Sequence, residues 1–299
     1  MNKINIKISK RIIIKKIFQS LFFIFIFFLL GLLFSYIFPE EKIISKNVRL
    51  PLQKRVMASI GDYTINNQQI ARYISEDNLI IEGKNNISLN DLEKYLSELK
   101  TGDIIFTNSG KYLSSVFIPG KWKHSAIYIG SKNQLSEFFT EESEIFKKLE
   151  TYYQNNEQKL IIDSSSDGVQ IRDIKELSNL SQSSYLKSFA VFRINKNKEK
   201  IINFLKKSKE QVGKEYDYDL ITEDEKELYC SELIYHSLKE IGFEIKREES
   251  FAREMISPND LVNYMIRSNY FSFIIFLEKE NYSIKELNKL ELLKEVSAY

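Results

Sequence analysis

Cysteine is nearly missing from this chain of 299 residues: there is one, Cys230, and histidine is almost as rare, with His124 and His236 alone. A single cysteine excludes any disulfide within the chain and any cysteine-built metal cluster, and two histidines are too few for a histidine-rich metal site. Neither a metal nor a cofactor is therefore expected. The Asp217 and Asp219 pair in "DYD" lacks the ligand spacing and turn glycine of a calcium loop and reads as turn charge. "NSGKY" and "PGKW" lack Walker spacing, so no phosphate site is assigned. Proline (4) and glycine (10) are scarce, and there is no internal repeat and no low-complexity linker.

An excess of one charge is also missing, although the formal +2 conceals an uneven spread. Residues 1–16 hold six Lys or Arg and no acid, which leaves −4 for everything after them. The basicity belongs to that short segment, and nothing downstream interleaves basic and aromatic residues densely enough for nucleic-acid binding. Nucleic acid is excluded as a partner.

Apolar residues are plentiful, at 43% of the chain, enough for a sizeable core. Residues 17–38, "IFQSLFFIFIFFLLGLLFSYIF", run without a charge. At ~1.5 Å per residue, a helix of that length spans a hydrocarbon layer of ~30 Å. A cleaved signal peptide is the competing reading, but it would have a shorter apolar run and small residues at its cleavage site, whereas "FSYIFPEE" follows here. An uncleaved single-pass anchor is expected. Lys3, Lys7, Lys10, Arg11, Lys15 and Lys16 precede it, against Lys42, Lys46, Arg49 and Lys54 after it. That bias puts the N-terminus in the cytoplasm and the rest on the periplasmic or extracellular side of the cytoplasmic membrane.

Residues 39–98 read as a helical connector: "TINNQQIARYISED" has helical spacing, and "SLNDLEKYLSELK" offers Ser88 as a cap with Leu92, Tyr95, Leu96 and Leu99 on one face. From residue 99 the texture turns to β-rich runs, "GDIIFT", "SAIYIG", "KLIID", "SFAVFRI" and "FSFIIFL". Between the last two lie the helical patterns "NKEKIINFLKKSKEQVG" and "SELIYHSLKEIG". This predicts an α+β domain over 99–278, followed by a charged amphipathic helical tail over 279–299. The stretch 132–159 reads as a helical insertion that would cover a cleft.

His236 lies six residues after Cys230 in a predicted helix, ~9 Å along the axis and about 120° around it, out of contact with the sulfur. His124 is the imidazole that folding can bring to Cys230, where it would withdraw the thiol proton. An inert buried cysteine and a histidine that closes a structural hydrogen bond are the alternatives, and composition leaves them open.

"GDIIF", "KWKHSAIYIG", "LIIDSSSDGVQIRDIKEL", "YCSELIYHSL" and "ISPNDL" together, in that order, resemble the circularly permuted NlpC-type papain-like cysteine hydrolases of the YiiX/YebB-like branch. The resemblance covers about 99–277 and implies a central antiparallel sheet with the His strand first and a Cys-bearing helix last. It implies Cys230 as nucleophile, His124 as general base and later acid, and Asp163 as the group that orients the imidazole, where the family more often has Glu. Asp167 is the local competitor, although its place before Gly168 suits a turn. Tyr218 is carried over as an oxyanion or substrate contact, and Trp122 as a cleft or core residue. Asp103 opens a strand and caps a turn. A helix nucleated at the capping-box pattern "TEDE", 222–225, would bury Cys230 in its third turn, so a break is required near Leu228 or Tyr229.

The expected activity is amide hydrolysis through a thioester, with a cell-wall peptide as substrate. Lipid-directed acyl transfer or thioester cleavage is the alternative, and a non-catalytic anchored binding module is the third.

Overall fold

The computed structural model describes residues 21–26, 86–109, 118, 120–181, 184–217, 226–246, 248–250, 253–280 and 283–297. Two compact units divide the chain, Met1–Ile70 and Ala71–Tyr299. Of the first, residues 21–26 are described: they are helical, and Leu21, Phe22, Phe23, Ile24 and Phe25 are exposed. The rest of the expected 17–38 span lies outside the described residues, as do 39–85. Among the described residues no helix is long and apolar enough to cross a membrane.

The second unit is built on a seven-stranded sheet in the order β4-β3-β2-β1-β5-β8-β9, with every neighbouring pair antiparallel. The strands are β1 (Ile104–Ser109), β2 (His124–Gly130), β3 (Leu160–Ser165), β4 (Gly168–Asp173), β5 (Leu186–Ile194), β8 (Phe271–Glu280) and β9 (Ser283–Glu286). A separate small hairpin joins β6 (Glu248–Ser250) to β7 (Arg253–Met255). The helices are α1 (Leu89–Leu96), α2 (Lys132–Phe138), α3 (Glu144–Glu150), α4 (Lys198–Glu210), α5 (Cys230–Glu240), α6 (Pro258–Arg267) and α7 (Lys289–Ser297). Helices mixed with an antiparallel sheet are the α+β class that the alternating texture predicts.

Both faces of the sheet are covered, which is why its central strands read as nearly continuous apolar runs. Ile104, Phe106, Ile127, Ile129, Ile162 and Phe192 face the larger core, where they meet Phe204 of α4, Leu233 and Ile234 of α5, and Leu261 of α6. Ile105, Tyr128, Ile161, Phe189 and Val191 face the smaller core under α1. Helix α1 starts at the expected cap: Ser88 accepts from the Asp91 N–H, and Asp91 answers at the Ser88 N–H. Leu92, Tyr95 and Leu96 are buried beneath it. Asp103 is also buried and holds Arg193 through two bonds of 2.8 and 2.7 Å, while it accepts from the Lys100 N–H at 2.8 Å.

Three expectations need correction. Helix α1 is packed into the sheet's own core rather than standing apart in a connector ending at 98. The segment after 278 is not a continuous exposed helix: 283–286 pairs with β8, and Leu287 and Leu292 are buried in the larger core. The free edge of β8 offers a ladder that intrinsic helix propensity over four residues cannot match. The 132–159 stretch is helical, but it is rooted at Gly130, the end of β2 opposite His124, some ~20 Å along the strand. Leu135, Phe139, Phe146 and Leu149 enter the larger core, so the segment packs the fold instead of covering the site.

Candidate active site

Strand register places three polar side chains on one face. His124 is the first residue of β2, and Asp163 of β3 pairs with Ala126, two positions along. Because side chains two apart share a face, His124 and Asp163 are diagonal neighbours. By the same reasoning Arg172 of β4, which pairs with Ile161, lies diagonal to Asp163. The contacts follow from this register: His124 Nε2 lies 2.7 Å from Asp163 Oδ2, and Arg172 Nε donates to Asp163 Oδ1 at 2.9 Å, with its terminal nitrogen on Oδ2. Asp163 is fully enclosed, whereas the His124 side chain is 23% exposed.

Cys230 arrives from the other end of the chain on α5, which packs on β2 and β3. The helix begins at Cys230 itself, with Tyr229 extended (φ −87°, ψ 169°) as its N-cap. This start is enforced by the residue before the cap. The Leu228 N–H donates to the Glu215 carbonyl at 2.9 Å, and the Leu228 carbonyl accepts from the Ser164 hydroxyl, so neither group can join a helical ladder. Ser231 donates to the Ile256 carbonyl at 2.8 Å, and the Ile256 N–H donates to the Tyr229 hydroxyl at 3.1 Å. The break required near Leu228 or Tyr229 is present, and "TEDE" lies outside the described residues. The N–H groups of the first turn, from that of Cys230 onward, therefore fall outside the intrahelical ladder and point toward the thiol's end of the helix.

The charges of His124 and Cys230 act on one another, each shifting the other's protonation. With Nε2 engaged by Asp163, Nδ1 is the nitrogen left for the sulfur. Burial works against charge on both groups, yet each is moved the other way by its partner. Burial alone would lower His124; the Cys230 charge and Asp163 outweigh it and push the imidazole up to about 9. Burial would raise Cys230; His124 outweighs it and lowers the thiol, with help from Ser125. Burial would also raise Asp163, but Arg172 and then His124 hold its carboxyl well below the usual carboxylate range. The arrangement favours a thiolate–imidazolium pair backed by an ionised carboxylate.

The remaining expected residues fall elsewhere. Trp122 is wholly buried, edge-on to Phe276 at 5.4 Å and Phe106 at 6.5 Å, and so belongs to the core and not to a cleft. Tyr218 lies outside the described residues. Asp167 is exposed in the turn between β3 and β4. His236 is buried on α5, 3.5 Å from Glu232 one turn back, so it is packed and not solvated. Among the described residues no group of three or more His, Cys, Asp or Glu could hold a metal ion. Arg172 was missed. The signal for it is the alternation of "GVQIRD" after the "SDG" turn: a two-residue hairpin loop there puts Arg172 on the face of Asp163.

No curated protein matches the sequence at a significant level. A solved structure described as metalloprotein yiiX from Escherichia coli O157:H7 is similar, with a TM-score of 0.40 and 14% identity, covering 60% of this chain and 97% of that one. The model of the permuted papain-like amidase enzyme family, YaeF/YiiX, C92, matches residues 98–287, more than half of the chain. With its His strand first and its Cys helix last, the chain belongs to the permuted papain-like amidase family.

Proposed function

We propose that the protein is a membrane-anchored thiol hydrolase that cleaves amide bonds in cell-wall peptides through a Cys230–His124–Asp163 site. The observation that carries this reading is the packing of α5, with Cys230 at its first position, on β2 and β3, the strands that bear an imidazole and the buried carboxylate holding one of its nitrogens. The Cys230 thiolate attacks the substrate carbonyl, and the resulting oxyanion is stabilised by N–H groups at the start of α5. Collapse of that intermediate breaks the C–N bond, and the His124 imidazolium gives its proton to the leaving amine, leaving a thioester. His124, now neutral, takes a proton from water as the water attacks the thioester. Protonation by His124 of the departing sulfur, and its subsequent loss of that proton to the imidazole, restores the starting pair. Asp163 keeps the ring in place throughout and favours its protonated form.

Anchoring rests on the uncharged run 17–38 and its basic flank, which direct the hydrolase domain to the outer side of the cytoplasmic membrane. The cell-wall peptide follows from that placement combined with the amidase family.

The test is the rate of Cys230 alkylation by iodoacetamide against pH, in the full chain in detergent, with and without His124→Ala. The expected result is a thiolate titrating well below the ordinary ~8.5, lost in the variant. An ordinary midpoint indifferent to His124 refutes the reading and favours a binding module. Turnover of muropeptide amides supports the peptide substrate, and turnover restricted to acyl lipids replaces it with lipid chemistry.

A further inference from the structure

Asp163 and Ser164 are consecutive residues of β3, both wholly buried, and strand alternation aims them at opposite faces of the sheet. On one face Asp163 holds the His124 imidazole at 2.7 Å. On the other, the Ser164 hydroxyl donates to the carbonyl of Leu228, two residues before Cys230. We propose that Ser164 is a positioning residue for the Cys230 thiol, so that a single peptide unit of β3 sets the placement of the nucleophile and of its base together. This inference rests on the hydrolase reading and deepens it.

The sequence separates His124 from Cys230 widely, so nothing covalent nearby fixes their spacing. The N-cap of α5 has no side-chain cap of its own. Other ties at this end run to Glu215 and Ile256: the Leu228 N–H to the Glu215 carbonyl, the Ser231 hydroxyl to the Ile256 carbonyl, and the Ile256 N–H to the Tyr229 hydroxyl. Ser164 is the side chain that joins the start of α5 to the strand carrying Asp163. A thiolate–imidazolium hydrogen bond weakens steeply with length and misalignment, so a small drift of the helix start registers first in the sulfur's acidity.

The experiment measures Cys230 alkylation against pH in full-length wild type, Ser164→Ala and Ser208→Ala, together with urea stability. Ser208 of α4 is a matched control: its buried hydroxyl donates to the Phe204 carbonyl at 2.7 Å and lies 2.9 Å from Ser237 Oγ near the far end of α5. The expected result is a thiol midpoint raised by about one unit in Ser164→Ala, a roughly tenfold slower alkylation below the midpoint, with kcat lowered and KM unchanged. Ser208→Ala loses comparable stability with no shift in midpoint. An unshifted Ser164→Ala midpoint, or equal shifts in both variants, overturns the proposal. If Ser164→Ala does not fold, the isosteric pair Ser164→Thr and Ser164→Val decides: a midpoint higher in Val than in Thr supports the hydroxyl's role, and equal midpoints refute it. Failure of the hydrolase reading is separately visible, as a wild-type thiol that ignores His124→Ala.

Discussion

Replacing Arg172 with Met tests whether the site is organised by charge balance. In the thiolate–imidazolium state the four groups run Arg172⁺, Asp163⁻, His124⁺ and Cys230⁻, a net charge of zero inside a largely enclosed space. Without the guanidinium, the neutral arrangement is the one with a protonated thiol, so the thiolate becomes harder to form. The guanidinium and the sulfur are separated by a carboxylate and a ring, on the order of 10 Å, where a unit charge at an effective dielectric of about 20 is worth ~1.7 kcal/mol, or about one pKa unit. Alkylation of Cys230 below its midpoint should therefore slow about tenfold in Arg172→Met. Stability should fall as well. Removing one partner of a buried ion pair costs ~3–5 kcal/mol, and we expect about 2–3 here because His124 remains on the carboxylate and Arg172 keeps some contact with water. The loss should shrink in acid. Asp163 has a depressed folded value, so its contribution is present above its unfolded pKa of ~3.9 and is lost as pH falls through the folded one. Taking Arg172 away raises that folded value, so the variant has less of this contribution to lose and the two proteins converge in stability as the carboxyl is protonated. Arg172→Lys should recover part of both effects. Iodoacetamide kinetics and urea melts across pH are the assays, and an unchanged or lowered thiol midpoint in Arg172→Met would refute the charge-balance reasoning.

Other outcomes follow from the same geometry. Amide hydrolysis should rise with pH as Cys230 ionises and fall again as His124 loses its proton near about 9, a bell-shaped kcat/KM profile whose alkaline limb drops to lower pH in Asp163→Asn. Trp122→Leu should cost about 2–4 kcal/mol from the cavity left beside Phe106 and Phe276, yet leave the Cys230 midpoint in place, as urea melts and alkylation would show together. Gly168→Ala should destabilise by more than ~1 kcal/mol, because φ is +85° and the added Cβ would lie 2.3 Å from the Lys214 carbonyl oxygen, main chain that cannot swing away. Wild-type stability in that variant would show that the β3–β4 turn is looser than its backbone implies.

Much of this was legible because local wording and local structure agreed. Alternation and apolar density marked β1, β2, β3, β5 and β8, and Ser88 marked the start of α1. Cys230 and His124 stood out through rarity, and Asp163 through its place in a motif of the permuted hydrolases. Other features were hidden because tertiary context decides them. "SIKE" becomes a strand only because β8 has an open edge beside it. Trp122 sits two residues from His124, and only the packing of Phe276 against it separates a core residue from a cleft residue. Nothing local in "LYC" ends the chain's preference for helix. The break comes from Glu215 and Ser164, distant in sequence, which take the Leu228 backbone groups for themselves.

A short orienting acid works here because of where the register puts it. Asp163 is one methylene shorter than the glutamate more common in such sites, but as a diagonal neighbour of His124 it needs no extra reach. Its enclosure would ordinarily favour the neutral form, which would weaken it as an acceptor for an imidazolium. Arg172 offsets that cost from the adjacent strand, and it can do so because the two-residue turn at Ser166 and Asp167 fixes β4 at the matching register. A slip of one residue in that hairpin would turn Arg172 to the opposite face, leaving a buried carboxylate with His124 as its remaining cationic neighbour on β2. On the proposed hydrolase reading the acidity of Cys230 therefore depends on a turn outside the reacting groups, and the β3–β4 hairpin sets it in the same physical sense as the helix that carries the sulfur.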